Sequence, residues 1–361
     1  MLIPHKPSRI LKPLLTVLLG TLLSACNSFA TPVQTGKKIM TDLTQTMYPI
    51  CVGRLILEIP AVAKIENWSY EVDEIKINSI TPPSLSQKAF DAKVNQLEAK
   101  LKTSPHNTEG VRFKSKTQLS PDRVLFVSRE SKSDTTGYEV EALFWHPSVE
   151  YQFKDSTTNK YLEETTSIIS KLIQSVVAMP TMDSTKAPPG FCLENGVLAS
   201  TSTDYRSEDV AIKGGIDTYP GLEFKFSASS TNKKFDDRTL LERHESSYGL
   251  GDAMAQTMIG GTKYLRKGKR KLNGQSGEEL AAVINVDGET SMHANAEFYG
   301  EPNVLDKPMI RLSLDYDPSE ENTQQITKKT LTEKEFLALW DALLNSIRPR
   351  TNSLRGDAGK K

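Results

Sequence analysis

Short runs in which hydrophobic and polar residues alternate recur along the chain, interrupted by stretches with helical spacing. After Cys51, residues Leu55, Leu57 and Ile59 fall on one side and Arg54 and Glu58 on the other, the period of a strand with one wet face. Trp68, Tyr70 and Val72 continue this pattern. Beyond Pro82-Pro83 the period changes, and Phe90, Val94, Leu97 and Leu101 predict a helix over residues 85–102. Strands return at Arg123–Arg129 and at Tyr138–Trp145, where Tyr138, Val140, Ala142 and Phe144 alternate with Glu139 and Glu141. Leu162, Ile168, Ile169, Leu172 and Val176 then predict a helix stopped at Met179-Pro180.

The second half repeats the plan. Phe191-Cys192-Leu193 opens it, and Leu222, Phe224 and Phe226 alternate with Glu223 and Lys225. Residues 237–259 hold enough helix formers for one or two helices. Met292, Ala294, Ala296 and Phe298 mark one later strand, and Ile310, Leu312, Leu314 and Tyr316 another. The closing helix carries its own start signal, a capping box of Thr332 and Glu335 with Leu331 and Phe336 at hydrophobic-staple positions. Its apolar face is Phe336, Leu339, Trp340, Leu343 and Ile347, and Arg348-Pro349 ends it.

Between the halves lies Met182-Asp183-Ser184-Thr185-Lys186-Ala187-Pro188-Pro189. Two adjacent prolines cannot donate backbone hydrogen bonds and bias Ala187 toward extended geometry, so neither a helix nor a central strand runs through this point. The expected division is an N-terminal domain over 50–182, a linker over 183–189, a C-terminal domain over 190–350 and a polar tail over 351–361. Short polar turns between several strands favour antiparallel pairing. The expected fold class is α+β, with two similar domains, each an antiparallel sheet with helices packed on one face.

The N-terminus changes the picture of where such a fold would sit. Lys6, Arg9 and Lys12 precede an apolar run over Leu14–Leu23 that is too short to span a bilayer permanently, the plan of a secretory leader over residues 1–25. It ends in Leu23-Ser24-Ala25-Cys26, which resembles the bacterial lipobox and implies cleavage before Cys26 and acylation of its thiol and amine. Residue 27 is Asn, not the aspartate associated with inner-membrane retention in enteric bacteria, so the inner leaflet of the outer membrane is the expected site. Residues 26–49 are polar, with Pro32 and Gly36, and read as a tether with a reach of roughly 25 Å.

Composition narrows the classes further. The 361 residues suit two cores of ~150 residues each, and 37% hydrophobic with 25% charged residues is ordinary for a globular chain. Forty-five acidic residues balance 45 basic ones, which gives no field favouring nucleic acid. Loss of residues 1–25 removes three basic residues, leaving 42 against 45 and a mature charge of −3.

Cys51-Val52-Gly53-Arg54 before an apolar strand and Pro60, with Gly190-Phe191-Cys192-Leu193 after a linker, resembles the two-domain lipoprotein immunity proteins paired with phospholipase effectors of bacterial type VI secretion. Leu272-Asn273-Gly274-Gln275-Ser276-Gly277-Glu278-Glu279 carries the likeness into the second half. The resemblance implies a non-enzymatic protein that binds a delivered lipase with both domains and obstructs its catalytic serine. A lipid anchor would concentrate such an inhibitor at the membrane under attack.

With Cys26 lipidated, only Cys51 and Cys192 remain, which read as an interdomain disulfide or as two separately buried thiols; the bridge is the expectation in an oxidising compartment. Catalysis finds little support. Gly274-Gln275-Ser276-Gly277-Glu278 places Glu278 where a nucleophile elbow needs glycine, and reads instead as a tight turn with left-handed glycines. His106, His146, His244 and His293 lack the helical pairing of a zinc protease, and no cofactor or metal is expected. The run Lys263, Arg266, Lys267, Lys269, Arg270 and Lys271 reads first as a solvated hairpin. Its sharper reading makes Lys267, Lys269 and Arg270 contacts for an acidic patch on the effector or for anionic head groups. The competing functions are an envelope-assembly or lipid-handling lipoprotein, which would need a continuous apolar cavity, and a periplasmic hydrolase.

Overall fold

The computed structural model describes residues 41–80, 82–179, 187–200, 206–230, 232–233, 238–247, 262–286, 289–318, 330–351 and 353. The expected leader, Cys26, most of the tether, residues 183–186 of the linker, residues 248–259 and nearly all of the tail lie outside them.

The first half runs β1 (Met47–Val52), β2 (Leu55–Pro60), β3 (Lys64–Val72), β4 (Ile75–Ser79), α1 (Gln87–Thr103), β5 (Pro105–His106), β6 (Gly110–Val111) and β7 (Phe113–Ser120). It continues through β8 (Arg123–Arg129), β9 (Gly137–His146), β10 (Val149–Thr158), α2 (Leu162–Gln174) and β11 (Val176–Ala178). The second half contains β12 (Gly190–Leu193), β13 (Gly196–Ala199), β14 (Glu208–Gly215), β15 (Leu222–Ser229), α3 (Leu240–Ser247) and β16 (Thr262–Leu272). It ends with β17 (Gln275–Val286), β18 (Glu289–Phe298), β19 (Met309–Tyr316), α4 (Glu333–Ser346) and β20 (Arg348–Pro349).

The α+β class and the antiparallel pairing agree with the sequence pattern, and the architecture goes beyond it in two respects. Among the described residues, twelve strands form one sheet in the order β16-β17-β18-β19-β15-β14-β3-β4-β10-β9-β8-β7. The halves meet at β3 and β14, where Val210 lies opposite Tyr70 and Ile212 opposite Trp68. A single apolar core therefore runs under both halves, including Tyr70, Val140, Phe153, Val210, Phe226 and Leu314. Helices also cover both faces of the sheet. Ile169, Leu172 and Ile173 of α2 join the core beside Leu125 and Phe144, whereas Phe90, Val94 and Leu101 of α1 pack on Val124, Phe126 and Leu143. Successive residues of a strand point to opposite faces, so α1 and α2 sandwich the first half of the sheet. In the second half α4 lies on the core side, through Phe336, Leu339, Trp340 and Leu343, and α3 on the other.

The opening hairpins are exchanged between the halves. The hairpin β1–β2 from the first half pairs with β20, which follows α4 of the second. The hairpin β12–β13 from the second half pairs with β11, which follows α2 of the first. Each half thus has its terminal helix completed by a hairpin from the other. Val176 accordingly leaves the expected helix, since α2 ends at Gln174 and Val176 pairs with Leu198 as the start of β11, where adjacent β-branched residues favour the extended form.

A buried polar knot closes the crossing point. Arg54, in the β1–β2 turn, donates Nε and Nη2 to the two carboxylate oxygens of Glu208 at 2.6 and 2.7 Å, and Nη1 to the Ser353 carbonyl at 2.7 Å. Arg350 donates to the carbonyls of Ala187, Pro188 and Gly190 at 2.7–3.0 Å, tying the end of the linker to the segment that follows β20. Burial, then the nearby Arg54 charge, pulls the Arg350 guanidinium below its ordinary value. Gly53 sits at φ 59° beside this knot, exchanging backbone hydrogen bonds with Cys192 at 3.3 and 2.7 Å. A side chain there would meet both the left-handed backbone and the packed Val210 and Phe191.

Candidate partner-binding surface

The helices leave part of the sheet's outer face bare. On that face α1 covers strands β8 and β9, and its Lys93 pairs with the buried Glu150. Toward the other end, the Leu241 amide of α3 donates to Glu278 at 2.9 Å, and Arg243 reaches Glu297 at 2.6 Å. No described helix lies over the strands between. Their outward positions alternate with the core residues and carry short or hydrophilic side chains. Asn67 and Ser69 lie on β3, Ala211 and Lys213 on β14, and Lys225 and Ser227 on β15. On β19 the outward residues are Arg311, Ser313 and Asp315.

A cleft of about 400 Å³ opens on this floor against α3, lined by β3 of the first half and by β14, β15, β18, β19 and Leu240 of the second. Its electrostatics are mixed. Lys213 pairs with Glu223 at 2.7 Å, and Arg243 and Arg311 both donate to Oε1 of Glu297, at 2.6 and 3.2 Å. Beyond Arg311 on the same strand, Asp315 accepts from His293 Nδ1 at 3.0 Å and holds that imidazole above its ordinary value against the opposing effect of burial. Among the described residues no group of three metal-ligating side chains is gathered.

The basic strand divides by face. Lys267 and Lys269 of β16 are exposed, and Lys267 pairs with Glu245 of α3 at 3.1 Å. Arg270 points to the core side, donating to Glu279 at 2.6 Å and to Asn345 of α4 at 2.8 Å. Glu279 is buried and also accepts from Arg266 at 3.2 Å and from Trp340 Nε1 at 2.5 Å. Arg270 is thus engaged in holding α4 to the sheet, a role hidden in a run that reads as uniformly solvated. Replacing Arg270 with Ala is expected to cost about 1–3 kcal/mol in urea unfolding through the loss of charged hydrogen bonds to a buried carboxylate, whereas Lys269→Ala should stay within about 0.5 kcal/mol.

The remaining sequence candidates among the described residues fall away from the cleft. Cys26 lies outside the described residues. Cys51 and Cys192 are both buried and form a disulfide with their Cα atoms 5.9 Å apart, joining the two exchanged hairpins. Of the glycines expected to be left-handed, Gly274 is so, at φ 82° after Asn273 at φ 50°, in the two-residue turn between β16 and β17. Gly277 instead lies within β17, pressed against β18. Glu278 and Glu279 are neighbours in β17 and point to opposite faces, so they do not form an acid–base pair. The floor residues of the cleft escaped the sequence reading. Their signal is the short or hydrophilic side chain at alternate positions, as in Phe224-Lys225-Phe226-Ser227-Ala228 and Leu312-Ser313-Leu314, which marks an outer face but not which strands adjoin.

Residues 48–182 match the family model of the Tle cognate immunity protein 4 N-terminal domain, and residues 186–352 match that of the Tle cognate immunity protein 4 C-terminal domain. Among solved structures, the chain is similar to the apo form of the immunity protein TplEi of T6SS from Pseudomonas aeruginosa, with 22% identity and a TM-score of 0.70, covering 86% of this chain and 99% of that one. It is also similar to a chain in the Tle4-Tli4 complex, with 23% identity and a TM-score of 0.72, covering 85% and 98%. At such identities the likeness is one of fold. No curated protein matches the chain in sequence. Because both family domains match in order and together span most of its length, the chain belongs to the Tle cognate immunity protein 4 family, a family of immunity proteins and not of enzymes.

Proposed function

We propose that the chain is a periplasmic lipoprotein that binds a cognate phospholipase delivered by type VI secretion and keeps it from the cell's own phospholipids. The match of both halves to the two immunity-family domains carries this reading. A structural neighbour solved as a Tle4-Tli4 complex supports it. A disulfide between Cys51 and Cys192 suits an oxidising compartment. Leu23-Ser24-Ala25-Cys26 supplies the anchor and Asn27 favours the inner leaflet of the outer membrane; of the expected tether over 26–49, the last part belongs to the fold instead, because Leu43 is buried in the core and β1 begins at Met47. No helix among the described residues is long and apolar enough to cross a membrane. Domains at 50–182 and 190–350, joined through residues 183–189, act together on the lipase, with the exposed Lys267 and Lys269 available to an acidic patch on it.

The test is protection. A sensitive cell that exports the cognate lipase should keep its phospholipids intact when it also makes the full chain. Lysis at matched abundance, with no complex recovered between the two purified proteins, would overturn the reading. Mass spectrometry of the membrane fraction should find a mature chain beginning at acylated Cys26. Cys26→Ser should release the protein from membranes with its melting temperature unchanged, because Cys26 lies well before Leu43, the first residue of the chain in the core. An unaltered protein found unmodified and free in the periplasm would remove the anchor from the proposal.

A further inference from the structure

The turn that opens the described fold fixes where the chain enters it. The Thr44 and Gln45 amides both donate to the Thr41 carbonyl at 3.0 Å, the Thr41 amide donates to the Thr44 hydroxyl at 3.0 Å, and Leu43, 2% exposed, is sunk in the core. Beside this entry lies the open end of the β1–β2 hairpin, where the Ala61 amide donates to the Thr46 carbonyl at 2.9 Å and Tyr48 stands opposite Ile59. Tyr48 is 56% exposed and Val62 51%, and both belong to the few large hydrophobic side chains left most exposed among the described residues. Pro49 and Ala61 are also exposed there, and Met47 and Ile50 are half-buried. A cluster of this kind marks a contact surface more than scattered single residues do. The charges at its margin include two ion pairs, Lys64 with Asp217 and Arg348 with Glu58. The apolar groups therefore set its chemistry.

Chain length says what lies against this corner. Fourteen residues, 27–40, separate Cys26 from Thr41. Fully extended they span at most about 50 Å, and as the polar tether that their composition predicts about 20 Å. A bilayer holding an acylated Cys26 is thus kept near Thr41, on the side that Tyr48 and Val62 share. We infer that this corner is a second membrane contact, with Tyr48 and Val62 seated in the interfacial layer of the phospholipid leaflet that holds the anchor. The inference rests on the lipoprotein reading and adds the orientation of the fold on the lipid. Tyrosine, with an apolar ring and a hydroxyl, suits that layer. A contact of so few side chains is too weak to hold the protein alone, which agrees with release of Cys26→Ser. The short tether makes it intramolecular at an effective concentration in the millimolar range, so a weak contact is populated. Because β3 starts at Lys64 in this corner, the seating also aims the strands away from the lipid. Tyr70 opposes Ile77 and Tyr151 opposes Ser79, so β10 ends at Thr158 roughly 30–35 Å above the level of Lys64. Tyr161, exposed just past that end, would be held clear of the bilayer.

Lipid quenching tests it, using the acylated full chain on vesicles of phosphatidylethanolamine with phosphatidylglycerol. Val62→Cys supplies the sole free thiol of the mature chain, since acylation takes Cys26 and the bridge takes Cys51 and Cys192. A polarity-sensitive fluorophore on it should shift its emission to the blue and lose about half or more of its intensity to a lipid spin-labelled near the head group. The same fluorophore at Tyr161→Cys, a site 47% exposed, should show neither change. Adding Tyr48→Asp, whose side chain is mostly in water, should abolish the quenching at Val62→Cys with the melting temperature unchanged. High salt should leave the quenching as it is, because an apolar contact is not screened. A chain that floats with the vesicles but shows no quenching at Val62→Cys, or equal quenching at both sites, would overturn the contact and leave the anchor standing. A chain that does not float would overturn the anchor and the contact with it.

Discussion

Produced separately, residues 41–182 and 187–353 are expected to protect a sensitive cell not at all, and neither should melt cooperatively. The reason lies in how the halves are completed. Cut at the joint, the first fragment loses β14 from beside β3, β13 from beside β11 and β20 from beside β2. The second loses the β1–β2 hairpin that packs against α4. Tyr70, Val72, Val210 and Ile212, each nearly fully buried in the intact chain, would then face water along a bare strand edge. Exposing four such side chains forfeits about 1.5–3 kcal/mol each, comparable with the whole net stability of a domain at about 5–15 kcal/mol, before any lost strand pairing is counted. The unpaired edges of β3 and β14 would also invite aggregation. Co-production of both fragments in the periplasm should restore part of the protection, since the exchanged hairpins can find their sites and Cys51 and Cys192 can join them. Full protection by either fragment alone, at matched abundance in the soluble fraction, would show that the exchange is dispensable.

That exchange was not legible in the sequence, and the reason is physical. Alternation in Ile310, Leu312, Leu314 and Tyr316 identifies a strand and its buried face, and β19 follows it. The capping box of Thr332 and Glu335 forms as its spacing requires, and α4 buries Phe336, Leu339, Trp340 and Leu343. Period-two patterns, however, say which face is wet and nothing about the neighbouring strand, so β14 beside β3 could not be read from either. An amphipathic helix fits either side of a sheet equally well, and the outer position of α1 follows only from Val124, Phe126 and Leu143, which make a second apolar surface. Arg270 shows the same limit for charge. Its partner Asn345 is 75 residues away, and only the return of α4 over β16 turns a basic run into an internal network. The cleft is the extreme case, since Ser69, Ser227 and Ser313 are unremarkable alone and form a surface only through strand order.

Replacing both Cys51 and Cys192 with Ala is expected to lower stability by about 4–5 kcal/mol while leaving the backbone of the crossing point in place. The bond closes a loop with a sequence separation of 141, so its removal chiefly enlarges the unfolded ensemble. In the folded state the two hairpins are held by other means. Gly53 and Cys192 exchange two backbone hydrogen bonds that do not involve sulfur, and Arg54 grips Glu208 and the Ser353 carbonyl. Two observations distinguish this account from a folded-state loss. The denaturant slope should rise, because an unlinked unfolded chain exposes more surface. Glu208→Ala should differ, costing about 3–5 kcal/mol at an unchanged slope with the disulfide intact, because it strands the buried Arg54 guanidinium without its carboxylate. If the cysteine variant instead loses less than about 1 kcal/mol, the unfolded chain must already hold the two hairpins together, since a cross-link stabilises only by excluding unfolded conformations that would otherwise be populated.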